Sequence, residues 1–112
     1  MNLSNKATLF GHVGSDPVVK ELDSGKTVAN FSLATSDSYR DNEGEKVTNT
    51  EWHNIVAWGK QAELVGKLVK KGTALLLEGK ITHRVYKHDT KGDVQVTEIL
   101  LNGFVLTQPK QD

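Results

Sequence analysis

Cysteine is absent from the 112 residues, which excludes disulfide stapling, thiolate catalysis and cysteine-ligated zinc. No stretch approaches the roughly 18 apolar residues that a membrane span requires, and the start, Met1-Asn2-Leu3-Ser4-Asn5-Lys6, has no apolar h-region. Neither secretion nor membrane insertion is expected, and a cytoplasmic location suits the absence of thiols. Only 2 prolines stand beside 10 glycines, with 37% hydrophobic and 25% charged residues. That balance describes a globular chain with many turns, neither disordered nor fibrous. The length suffices for one compact core and is too short for two ordinary domains. We read a single domain over residues 1–107, followed by a short polar tail at 108–112, with no internal repeat or linker.

An excess of charge of one sign is also missing, since 14 basic side chains meet 14 acidic ones. This is awkward for a partner rich in phosphate, because affinity for phosphates comes from clustered Lys and Arg. The distribution is less neutral than the total. Residues 1–51 carry 5 basic and 8 acidic side chains, whereas residues 52–91 carry 8 basic and 3 acidic. A solvated surface of mixed sign would give the same totals.

Short runs of Val, Leu, Thr and aromatics alternate with Gly, Asp, Asn and Ser clusters, the pattern of antiparallel strands joined by turns. Five strands are predicted. The first spans Lys6 to Val13 and is broken by Asp16-Pro17; the second spans Thr27 to Arg40, with Ala29, Phe31 and Leu33 on one face. A polar loop from Asp41 to Thr48, with Gly44 at its tip, precedes the third, from Asn49 to Gly59. The recurrence of Leu64, Val65, Leu68 and Val69 predicts a helix over Lys60 to Lys71 that Gly72 terminates. The fourth strand, Thr73 to His88, bends at Gly79, and a turn from Asp89 to Asp93 leads to the fifth, Val94 to Leu106. Three strands, one helix and two strands is the order of an all-β, five-stranded OB-fold, a Greek-key barrel whose helix lies between strands 3 and 4. Other small barrels with one helix share part of this pattern.

Side chains alternate faces along a strand, so Trp52, Asn54, Val56 and Trp58 share one face while His53, Ile55 and Ala57 share the other. The two indoles lie roughly 20 Å apart along the strand, room for more than one stacked base. Both could instead be core residues, but Ile55 and Ala57 already offer the opposite face to a core. On the fourth strand Lys80, Thr82, Arg84, Tyr86 and His88 share a face, so basic and aromatic groups interleave. Bases stack on aromatic rings whatever their identity, and nearby cations neutralise phosphates. Tyr39 and Arg40 add a further pair. Catalytic readings find little support. His12, His53, His83 and His88 show no HExxH spacing, and no phosphate loop or nucleophile elbow is present. A metal shared by His83, His88 and Asp89 is not expected, nor is any cofactor.

At these residues the chain resembles the bacterial single-stranded DNA-binding protein family, from about Asn5 to Leu106. The likeness is carried by Gly11-His12-Val13-Gly14-Ser15-Asp16-Pro17, Val28-Ala29-Asn30-Phe31-Ser32-Leu33-Ala34-Thr35, Thr50-Glu51-Trp52-His53, Trp58-Gly59-Lys60-Gln61-Ala62-Glu63, Lys70-Lys71-Gly72 and Leu77-Glu78-Gly79-Lys80. The resemblance implies an OB-fold that assembles as a homotetramer and binds single-stranded DNA in replication, recombination and repair, in the cytoplasm and associated with the nucleoid. It implies base stacking on Tyr39, Trp52, Trp58 and Tyr86, the positions strand alternation nominates, with phosphate or polar contacts from Arg40, Asn54, Lys60, Lys71, Lys80 and Arg84. It also implies a subunit contact near His53, and structural roles for Gly11 and Gly14 at a bend or subunit contact. Asn54, Thr82 and Val85 stand where relatives are often basic, which implies moderate affinity. The sequence ends at Pro109-Lys110-Gln111-Asp112, without the acidic, Phe-ended tip by which many relatives recruit other proteins. Recruitment is then absent, differently arranged, or lost with a shortened end. An OB-fold module for single-stranded RNA or a protein partner is the alternative.

Overall fold

The computed structural model describes residues 4–107; the tail expected over 108–112 lies outside them. Six strands and one helix follow one another as β1 (Ala7–Val13), β2 (Val18–Glu21), β3 (Thr27–Arg40), β4 (Lys46–Trp58), α1 (Lys60–Leu68), β5 (Ala74–His88) and β6 (Gly92–Leu106). Five of the strands close into a barrel. The hydrogen-bonded order is β1-β5-β6-β4-β3, and β1 returns to β3 at His12↔Ala34 and Val13↔Leu33. All neighbours in the ring are antiparallel except β4 and β6, which run parallel at Asn54↔Glu98, Ile55↔Ile99 and Val56↔Leu100. The OB-fold expected from the sequence is the fold observed, with its helix between the third and fourth barrel strands.

The interior is filled from every wall by the period-2 alternation of the strands. Ala29, Phe31 and Leu33 of β3, Ile55 and Ala57 of β4, Leu75 and Leu77 of β5, and Ile99 and Leu101 of β6 meet in one buried cluster. Helix α1 adds Ala62 and Val65, and Val69 follows just beyond its end. Two glycines let strands approach more closely than a side chain permits. A Cβ on Gly11 would land on the Ala34 carbonyl oxygen, and one on Gly79 on the Leu100 carbonyl oxygen. Gly79 also sits at a register shift between β5 and β6, at the residue where the sequence predicts a bend, and such irregularities locally increase strand bending.

The observed elements differ from expectation at four places. The four residues of β2 pair with Thr27–Asn30 of β3, extending the sheet after the Asp16-Pro17 break. All four are exposed, so no hydrophobic alternation marks them. β4 begins at Lys46, and the preceding loop is shorter than predicted. The Asp41 carboxylate accepts the N–H groups of Glu43 and Glu45, closing the hairpin tightly around Gly44. The helix stops at Leu68, leaving Leu68 exposed and Val69 extended. Gly72 does not cap it. With φ of 88°, Gly72 instead makes the turn that carries its N–H to the Val13 carbonyl, tying the segment before β5 to the end of β1. Finally, β6 starts at Gly92, so the last turn spans only Asp89 to Lys91.

Candidate nucleic-acid interface

Cross-strand registers bring the nominated residues onto one outer face. On β4, Trp52, Asn54, Val56 and Trp58 stand opposite Ala34, Ser32, Asn30 and Val28 of β3. The parallel pairing sets Glu98 and Leu100 of β6 beside Asn54 and Val56. On β5, Lys80, Thr82, Arg84 and Tyr86 stand opposite Leu100, Glu98, Val96 and Val94. Trp52, Trp58 and Tyr86 therefore line a surface running across β4, β6 and β5, with relative exposures of 61%, 45% and 42%. On the opposite face of β4, Ile55 and Ala57 are buried. The indoles point to solvent, outside the core.

Two open clefts interrupt this surface. One, about 630 Å³, is lined by Asn30, Ser32, Asn54, Arg84, Tyr86 and Glu98 among others. The other, about 480 Å³, lies beside Trp58 and includes Asn30, Thr82, Arg84 and Glu98. Asn30, Arg84 and Glu98 thus form the wall between them. The Arg84 guanidinium donates through Nε to Glu98 Oε1 at 2.8 Å and through Nη2 to Oε2 at 3.2 Å. The hydrogen bond and the charge of Glu98 hold the Arg84 pKa above its ordinary value, so the guanidinium remains charged.

Trp52 lies against the chain just after β1. A Cβ on Gly14 would fall on the indole Cζ3, 3.0 Å from Cη2 and 2.9 Å from Ser32 Oγ. Gly14 is therefore a seat for this ring. Gly14→Ala is expected to push the exposed indole aside while leaving the barrel folded. The Trp52 emission, isolated in a Trp58→Phe background, should shift, with little change in melting temperature.

Tyr39 and Arg40 lie apart from the clefts, near the end of the β3–β4 arm. Tyr39 is 53% exposed; along β3 its position alternates with the face carrying Ala34, while Arg40 falls on that face, opposite Lys46. Between Trp52 and this end, Ser36–Thr50 and Ser38–Thr48 form a ladder of hydroxyl contacts at 3.3 and 3.2 Å. Arg40 donates to the Gly44 carbonyl at 2.8 Å. Lys60 is at the start of α1, and Lys71, exposed in the turn before β5, has its backbone N–H held by Asp16 at 2.8 Å. His53 is half-buried on the face away from Trp52, with Nε2 2.9 Å from Thr35 Oγ1. Sequence reasoning missed Glu98, Asn30, Ser32 and Lys46. The first three become neighbours of the nominated residues only through strand pairing, whereas Lys46 falls in the stretch whose sequence reads as a polar loop.

His83 Nδ1 lies 2.9 Å from Thr97 Oγ1, and His88 Nδ1 accepts backbone N–H groups of the following turn. Among the described residues no group of three His, Cys, Asp or Glu side chains converges, and no helix is long and apolar enough to cross a membrane.

An OB-fold barrel whose outer face presents aromatic rings, amides and cations belongs to the class of folds that hold extended ligands along that face. The family model for the single-strand binding protein family matches residues 4–107, and the chain belongs to that family. This places it among binding proteins rather than enzymes. It is 43% identical over 97 residues to single-stranded DNA-binding protein 1 of Chlorobaculum tepidum, covering 86% of this chain and 60% of that protein. The corresponding protein of Bacteroides thetaiotaomicron is 45% identical over 108 residues, covering 95% and 67%. The chain thus spans less than two thirds of the length of the first of these relatives and about two thirds of the second. Among solved structures, a Plasmodium falciparum SSB in complex with ssDNA superposes with a TM-score of 0.81 at 36% identity, covering 96% of this chain and 100% of that one.

Proposed function

We propose that this protein binds and protects single-stranded DNA without regard to sequence, in replication, recombination and repair. The observation that carries this reading is the exposed face that aligns Trp52, Trp58 and Tyr86 across three strands with Asn54, Lys80 and Arg84 among them. Exposed rings on a polar, cation-bearing face suit bases that are free to stack. Duplex DNA keeps its bases stacked internally and offers these rings nothing. The relatives' names and the single-stranded DNA in the Plasmodium complex support the same ligand. Residues 1–107 act as one binding domain, in the cytoplasm and with the nucleoid. Tyr39 adds a stacking ring on the arm, and Arg40, Lys60, Lys71 and Lys80 contact phosphates. With zero net charge, stacking outweighs phosphate neutralisation, so salt dependence is shallow for this fold.

The assembly is a homotetramer, with His53 near a subunit contact. Supporting this, Phe10, Leu76 and Val105 stand in register as an exposed apolar row on the outer side of β1, β5 and β6. Among the described residues β1 is paired along Ala7–Phe10 with β5 alone, which leaves an open strand edge there. An apolar face beside an open strand edge is stabilised by a second copy. Light scattering at micromolar concentration should give the mass of four chains; a monomer would refute this assembly.

Competition for a labelled oligo-dT, by unlabelled oligo-dT, oligo-U and a matched duplex at two salt concentrations, tests the ligand. Displacement by oligo-dT and not by duplex is expected, weaker at the higher salt. A strong preference for oligo-U would instead indicate an RNA-binding module.

A further inference from the structure

We propose that Arg84 and Glu98 act as one neutral unit, a fixed guanidinium plate on which a base stacks between the Trp58 and Tyr86 clefts, with Glu98 as its positioning residue. The inference rests on the binding-face reading above and replaces the phosphate or polar contact that the family resemblance implies for Arg84 with a stacking surface.

Placement is the first reason. Both residues line both clefts, so the pair stands where a strand passing from one ring to the other must cross. Geometry is the second. Two nitrogens of Arg84 bond two different oxygens of Glu98, and such a fork fixes the guanidinium plane more firmly than a single bond. These bonds lie in the plane, so they do not themselves occupy its flat faces. A guanidinium is planar, delocalised and weakly hydrated, and stacks on π-systems in a way the compact ammonium of lysine does not. Burial is the third. The Glu98 side chain is 12% exposed and that of Arg84 60% exposed; the carboxylate is the sheltered partner and the guanidinium the one a ligand reaches.

The charges also cancel at contact distance. A lone cation on this face would neutralise a phosphate and steepen the salt dependence, by about 0.7 in the log–log slope for single strands. A paired one contributes almost nothing to that slope and still contributes to stacking. Affinity and salt slope therefore separate the two roles.

Oligo-dT affinity measured over a salt series on four folded variants tests this. Glu98→Gln, which frees the Arg84 charge at nearly constant shape, should bind more tightly at low salt with a slope steeper by about 0.7. Arg84→Gln combined with Glu98→Gln, which removes both charges, should keep the parent slope and bind roughly tenfold more weakly at every salt. Arg84→Lys should bind more weakly than the parent despite keeping the charge. Lys80→Gln, the control for a free cation, should make the slope shallower by about 0.7. The proposal is overturned if the double variant binds as tightly as the parent, if its slope falls as that of Lys80→Gln does, or if Glu98→Gln leaves the slope unchanged. Undiminished binding by Trp58→Ala would instead sink the underlying binding-face reading, and so distinguishes the two failures.

Discussion

Trp52→Ala and Trp58→Ala are each expected to weaken oligo-dT binding by roughly 5- to 150-fold, the equivalent of about 1–3 kcal/mol for one stacked base, with the fold left intact. Both indoles are more than two-fifths exposed, so their removal deletes few core contacts. Ile55→Ala on the other face of the same strand should do the reverse. Ile55 is 1% exposed within the central cluster, and its truncation should cost about 2–5 kcal/mol of stability with little direct effect on binding. Melting temperatures and oligo-dT titrations of the three variants check the contrast. Unfolding by the tryptophan variants without specific loss of binding would place those rings in the core.

Gly11→Ala should destabilise the barrel by about 1–3 kcal/mol, lowering the melting temperature on the order of 10 °C for a domain of this size. The added Cβ would meet the Ala34 carbonyl oxygen, with the carbonyl carbon 3.0 Å and Leu33 Cγ 3.3 Å away. Those atoms cannot retreat freely. Ala34 is paired on one side with Trp52 and on the other with His12, so relief requires moving β1 off β3 at the seam that closes the barrel. Gly103→Ala is the control, because a Cβ there meets nothing within 4 Å. It should leave stability unchanged or raise it slightly, since alanine restricts the unfolded chain. Equal effects at the two glycines, read by thermal melts, would contradict this account of the closure.

The parts of the fold legible in the sequence are those where one face of a strand is buried. Ala29, Phe31 and Leu33, or Ile55 and Ala57, alternate because the barrel core demands it, and the β3 and β5 spans followed from that signal. The pattern fails where the chain leaves the core. Both faces of β2 are exposed, so it shows no alternation, and at the start of β4 a single half-buried Val47 between exposed Lys46 and Thr48 is too short a signal to place the strand's beginning. The helix ends short of its periodicity for a different reason. Leu68 continues the 3.6-residue recurrence, but the chain must turn there to bring Gly72 to Val13, and that tertiary requirement overrides local periodicity. Within the candidate site, strand alternation was enough to put Trp52, Trp58, Arg84 and Tyr86 on outward faces. The Arg84–Glu98 bond spans 14 residues and depends on the β5–β6 register, which a one-residue shift would have inverted.

The central claim is that bases stack on the outward indoles. Trp52 and Trp58 are the only two tryptophans, so selectively excited tryptophan emission reports on these positions alone, and single-indole variants, Trp52→Phe and Trp58→Phe, resolve them. Titration of each with oligo-dT and with a matched duplex is the direct test. The account predicts strong quenching of both indoles by oligo-dT and little by duplex; an unchanged emission on saturation with oligo-dT would contradict it.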